Sequence, residues 1–103
     1  MYHLSVYVPE THVEQVKEAL FAAGAGRMGN DDQCCWQTQG TGQFRALKGS
    51  QPFIGKINQT EFVGESKLEL VCEQEALKST VEALKKSHPY ETPAYFIVPI
   101  IDV

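Results

Sequence analysis

The side chains with the widest chemistry in this sequence are three histidines, His3, His12 and His88, and three cysteines, Cys34, Cys35 and Cys72. A nucleophilic mechanism would need a thiol or hydroxyl, a base within reach and a third group to orient the base. No spacing links Cys34, Cys35 or Ser87 to a histidine in such a pattern, so no catalytic residue is expected. Thiolate and imidazole also hold zinc and copper, which makes His3, Cys34 and His88 the candidate ligands for a divalent metal. No C-x-x-C pair supports them, a buried free cysteine packs as a small hydrophobe, and a histidine at a helix end serves its last carbonyls. Structural roles and no cofactor are therefore expected. Adjacent cysteines suit a disulfide poorly, so Cys34 and Cys35 read as reduced thiols.

Two glycine patterns imitate phosphate-binding loops. Gly24, Gly26 and Gly29 spell G-x-G-x-x-G, but they follow a helical stretch instead of opening one, so they read as a helix C-terminus. Between Gly49 and Lys56 the glycine spacing is one residue too long, and Ile57 stands where a magnesium-binding hydroxyl is required. That stretch reads as a loop carrying Lys48 and Lys56. The most distinctive tetrapeptide is His88-Pro89-Tyr90-Glu91. Pro89 stops a helix and His88 can serve its end, while Tyr90 and Glu91 are placed to line a cleft.

The elements that must position these groups are legible from periodicity. Residues 2–8 alternate, with Leu4, Val6 and Val8 on one face and His3, Ser5 and Tyr7 on the other, and Pro9 ends the strand. Thr11 and Glu14 fit a capping box, after which Val13, Val16, Leu20 and Phe21 recur at helical spacing. A second strand is expected over residues 35–39, with Gly40, Thr41 and Gly42 separating it from residues 43–47, a returning strand or an extension. Residues 48–58 read as a long surface loop, and 61–72 as a third strand with Leu68, Leu70 and Cys72 sharing a side. Leu77, Val81 and Leu84 mark a second helix, with Glu73 and Glu75 at its start and Lys85 and Lys86 at its end, as the helix dipole favours. Residues 94–100 form a last strand that is apolar at both parities.

Strand, helix, strand, strand, helix, strand is the split βαβ order of an α+β ferredoxin-like fold, in which two helices cover one face of an antiparallel sheet. At 103 residues there is room for one domain, 1–103. The second sheet face has no helix left to cover it, and an apolar face of that kind marks an interface, so a homo-oligomer is expected. With 13 acidic residues against 9 basic, the chain lacks the positive patch that phosphate backbones require, so no nucleic acid partner is expected. Residues 94–101 form its longest apolar stretch, far below the roughly 20 residues that span a bilayer. The N-terminus has no basic start and apolar run of a signal peptide. No membrane partner and a cytoplasmic location are therefore expected.

Taken in order, Tyr7-Val8-Pro9, Gly24-Ala25-Gly26 with Gly29-Asn30, Gly40-Thr41-Gly42, Pro52-Phe53-Ile54-Gly55, and His88-Pro89-Tyr90-Glu91 with Pro93-Ala94-Tyr95 resemble one module. It is the PII-like domain inserted in YqfO-type proteins of the Nif-three-like family, and the match runs from about residue 2 to residue 100. The resemblance implies a fold shared with the PII signalling proteins and the CutA divalent-ion tolerance proteins, and assembly as a trimer. Large family members hold two metal ions in lobes that have no counterpart in these residues. A metal-dependent hydrolase activity is therefore an alternative that lacks its ligands, and a CutA-like divalent metal binder is another. Inserts of the family often carry a His before the Cys that matches Cys34, where this chain has Gln33. The leading expectation is a noncatalytic regulatory module that binds a small ligand or a protein as a homotrimer. Its expected surface comprises Gly40, Thr41, Gly42, Arg45, Lys48, Phe53, Ile54, Lys56, His88, Tyr90 and Glu91. Phe53 and Ile54, large apolar residues in a polar loop, are expected to dock on a neighbouring subunit or a partner.

Overall fold

The structure, a computed structural model, describes residues 1–103. Strands β1 (Tyr2–Pro9), β2 (Trp36–Arg45), β3 (Thr60–Cys72) and β4 (Tyr95–Pro99) form one sheet in the order β2-β3-β1-β4, every pair antiparallel. Helices α1 (Val13–Ala22) and α2 (Gln74–Ser87) lie side by side on one face. This is the expected α+β split βαβ arrangement.

The alternation read in β1 decides which face is covered. Leu4, Val6 and Val8 are fully buried beneath the helices, opposite Leu70, Leu68 and Ser66 of β3. From the helices come Val13, Val16, Leu20 and Leu84, and from β4 Tyr95 and Ile97 pack against the same cluster. Each such Val or Leu stabilises the fold by about 1.5–3 kcal/mol through burial, and truncating Leu68 to Ala would cost about 2–5 kcal/mol. In α2 the buried line runs through Thr80 and Leu84, whereas Val81 sits at its margin. Thr80 is accommodated because its hydroxyl accepts a hydrogen bond from Cys72 Sγ at 3.5 Å.

Two details differ from the sequence reading, at the start of α1 and at the end of β4, and a choice it left open, in β2, is decided. The chain enters α1 through a 3-10 turn, Glu10–His12, and His12 is the N-cap without a side-chain bond. Thr11 Oγ1 instead bonds His12 Nδ1 at 2.8 Å, so the capping box does not form. Strand β2 runs unbroken through Gly40, Thr41 and Gly42, because β3 pairs with it along its whole length, from Trp36–Glu69 to Arg45–Thr60. The last strand is shorter than residues 94–100, since only Tyr95–Pro99 pairs with β1. Beyond it, the Ile100 N–H donates to the Met1 carbonyl at 3.0 Å, so the two ends of the chain are neighbours.

Gly24 and Gly26 follow α1 with φ of +111° and +83°, the left-handed backbone expected at a helix C-terminus. On the uncovered sheet face Phe96 is 59% exposed, and Val98 and Trp36 are exposed too.

Candidate functional site

The functional geometry concentrates at one end of the sheet, where the turn after α2 meets the connection between β2 and β3. His88 leaves α2 in extended backbone and is 6% exposed. Its Nδ1 accepts the Tyr90 N–H at 3.1 Å, so the ring proton lies on Nε2, which donates to the Tyr7 carbonyl at 2.7 Å. Burial pushes the His88 pKa below the ordinary histidine range, against the bond to Tyr7 and the nearby Glu65 carboxylate. The Tyr7 N–H in turn donates to the Ala94 carbonyl at 3.1 Å. One residue of β1, Tyr7, therefore ties down both ends of the turn 88–94 through its own N–H and carbonyl.

Tyr90 is the hub of that turn. Its ring lies 5.0 Å from His88, 6.1 Å from Phe44 and 6.3 Å from Phe53, centroid to centroid, and its hydroxyl donates to Glu65 Oε2 at 3.0 Å. Burial, followed by that carboxylate, holds the phenol far above its ordinary pKa, so it remains a hydrogen-bond donor. Phe53 also meets His12 edge-on at 5.4 Å. It thus makes contacts within its own chain while remaining 52% exposed. The physical reason is proximity: the β2–β3 connection folds back over the turn, and an aromatic ring gains more against Tyr90 and His12 than in water.

Between this loop and the turn lies a cleft of about 430 Å³, lined among others by Phe44, Arg45, Phe53, Ile54, Glu65 and Tyr90, with Glu91 also in its wall. A second cleft of about 420 Å³ opens on the uncovered sheet face, with Gly40, Thr41, Gly42 and Lys67 in its wall. Tyr7 and Glu65 line both. The Glu65 carboxylate lies close over Gly42, so a side chain there would have to displace it.

Of the expected surface residues, Arg45, Phe53, Ile54, Tyr90 and Glu91 come together in the first cleft and Gly40, Thr41 and Gly42 in the second. Lys48 and Lys56 are exposed and line neither, and His88 sits behind Tyr90 as its support. Tyr7, Phe44 and Glu65 escaped sequence reasoning, because only the strand register brings them to the turn. The metal candidates separate: His3 and Cys34 border a shallow hollow with Cys35 and Glu69, while both ring nitrogens of His88 are committed elsewhere. His3 Nε2 lies 3.6 Å from Glu69, and burial raises the Cys35 thiol pKa, which disfavours the thiolate a metal would need. Within the single chain no three His, Cys, Asp or Glu side chains converge as a metal site. No helix is long and apolar enough to cross a membrane.

No protein-family model matches the chain. It is 47% identical over 100 residues to a GTP cyclohydrolase 1 type 2 homolog of Halalkalibacterium halodurans, covering 97% of this chain and 27% of that protein. The chain thus spans about a quarter of the length of the curated relatives it matches. Among solved structures, a Bacillus cereus protein related to NIF3 superimposes with a TM-score of 0.83 at 34% identity, over 98% of this chain and 26% of the other. CutA1 from Pyrococcus horikoshii superimposes with a TM-score of 0.68 over 100% of this chain and 86% of the other. At 20% identity, that likeness speaks for the fold alone.

Proposed function

From a chain that matches a quarter-length segment of NIF3-related proteins and carries the CutA fold, we propose a noncatalytic regulatory module that binds a small molecule or a protein and works as a homo-oligomer. The observation that carries this reading is the cleft between the β2–β3 connection and the Tyr90 turn. It has the size of a ligand site and apolar walls with polar groups among them. No serine or cysteine in it is hydrogen-bonded to a base, and its one hydroxyl–carboxylate pair, Tyr90 with Glu65, holds the phenol protonated. Self-association is supported by Phe96, Val98 and Trp36 on the sheet face that no helix covers, and three subunits follow the family resemblance. A cytoplasmic location fits the free thiols.

A hydrolase activity would belong to the relatives' remaining three quarters of chain, which have no counterpart in these residues. A divalent-ion role, as in the CutA name, finds no converging donor set. The test is native mass spectrometry of protein purified under mild conditions, beside light scattering. About three times the 11.5 kDa chain mass is expected, with a retained ligand or partner mass that Phe53→Ala/Ile54→Ala reduces. A monomer that carries nothing, in wild type and variant alike, would defeat the proposal.

A further inference from the structure

We propose that the ligand of the cleft between the loop and the Tyr90 turn is a small organic cation, an alkyl- or arylalkylammonium, held by aromatic faces and the Glu65 carboxylate. The inference rests on the reading of that cleft as a binding site and adds the charge class of its occupant. Phe44 and Phe53 flank Tyr90 with their planes tilted 53° and 56° to its own, so three rings present inclined faces around one space. Such faces attract cations through the ring quadrupole, most strongly where water is excluded. The neighbouring ring already behaves so: Lys67 Nζ stands 5.9 Å from the centroid of Tyr7, which lines the same cleft.

Glu65 supplies the charge. It is half-buried, its Oε2 accepts from the Tyr90 hydroxyl, and no lysine, arginine or histidine pairs with it. A carboxylate with one neutral donor and no countercharge is a ready partner for an ammonium group, which supplies both charge and N–H donors. Glu91 adds a second carboxylate to the wall, Arg45, exposed in the strand end, is the only cation in it, and Lys67 lies beside it over Tyr7, in the adjoining cleft. A lysine side chain offers the same headgroup. The free molecule is preferred because the loop already folds over the rings and leaves about 430 Å³, the volume range of small-molecule sites.

The test is a backbone-amide NMR titration of the full chain with three ligands that share one ring and differ in charge: phenethylammonium, 2-phenylethanol and phenylacetate. Saturable shifts of residues 43–54 and 90–94 are expected with the amine, about tenfold tighter than with the alcohol, and none with the acid. Glu65→Gln keeps an oxygen for the Tyr90 hydroxyl and should reduce the amine to the affinity of the alcohol, whereas Glu91→Gln should weaken it less. Equal binding of amine and alcohol, preference for the acid through Arg45, or an undiminished preference in Glu65→Gln overturns the cation while leaving the cleft a binding site. Binding of Nα-acetyl-lysine amide well above the free amine overturns the small-molecule assignment in favour of a protein side chain. If no compound shifts a cleft amide, the inference falls, and the cleft itself is then judged by the loop variant in mass spectrometry.

Discussion

Replacing His88 by Gln tests how the turn is held. The native ring satisfies two partly buried backbone groups, the Tyr7 carbonyl and the Tyr90 N–H, at 2.7 and 3.1 Å. A glutamine can keep one of them, and leaving the other unpaired costs about 1–3 kcal/mol, a large share of a total stability of about 5–15 kcal/mol. The effect must also depend on pH. Burial lowers the His88 pKa in the folded chain, so the unfolded chain takes up its proton first. The stability His88 contributes is therefore complete above its unfolded pKa of about 6.5 and is lost as pH falls towards the lower folded value, by up to about 1.4 kcal/mol per pH unit. Urea unfolding at fixed protein concentration, at several pH values between 7.5 and 5, should show the gap between wild type and His88→Gln narrowing as pH falls. A gap that stays constant across that range, or a His88 imidazole resonance that titrates at or above 6.5, would show that the ring is not the neutral two-sided clamp described.

The remaining expectations concern the loop, the hub and the open face. Phe53→Ala/Ile54→Ala removes contacts worth about 0.5–1.5 kcal/mol at the Tyr90 ring, so limited proteolysis within residues 48–58 should accelerate severalfold while the core midpoint barely moves; unchanged cleavage would refute the docking. Tyr90→Phe deletes the hydrogen bond to Glu65 in a partly exposed setting and should cost about 1 kcal/mol in urea unfolding; a stabilised variant would contradict the bond. Phe96→Asp places a charge on the uncovered sheet face and should reduce the light-scattering mass to 11.5 kDa without loss of secondary structure. An unaltered oligomer mass would put the interface elsewhere. Ile97→Asp, on the covered face of the same strand, should instead unfold the protein, because an unpaired charge there costs several kcal/mol.

Much of the fold was legible because it repeats with a fixed period. Leu4, Val6 and Val8 name their own face, and Val13, Val16 and Leu20 can meet it only from a helix. The errors and open choices fall where a local signal met a competing neighbour. Gly40-Thr41-Gly42 carries the composition of a turn, which left a returning strand and an extension both open, and the complete ladder offered by β3 decides for the extension. Thr11 has the spacing of a cap, but His12 lies closer to its hydroxyl than the helix amides it was expected to serve. For the site, His88, Tyr90 and Glu91 were visible as an unusual tetrapeptide. Glu65 and Tyr7 were not, since nothing in a strand's alternation says which residue will stand opposite a turn more than twenty positions away in sequence.

The hydrogen bond from Ile100 to Met1 has a consequence for how such a unit can be carried. A fold whose first and last strands pair side by side presents its ends a few ångströms apart, so a host protein could accept it as a graft at a single surface loop. The host's two cut ends would scarcely move, and the loop-closure entropy grows only slowly with the length of chain added. The same adjacency makes the domain a candidate for circular permutation. A short linker could join residues 103 and 1, and new ends opened in the exposed stretch 48–58 would leave every strand pair intact.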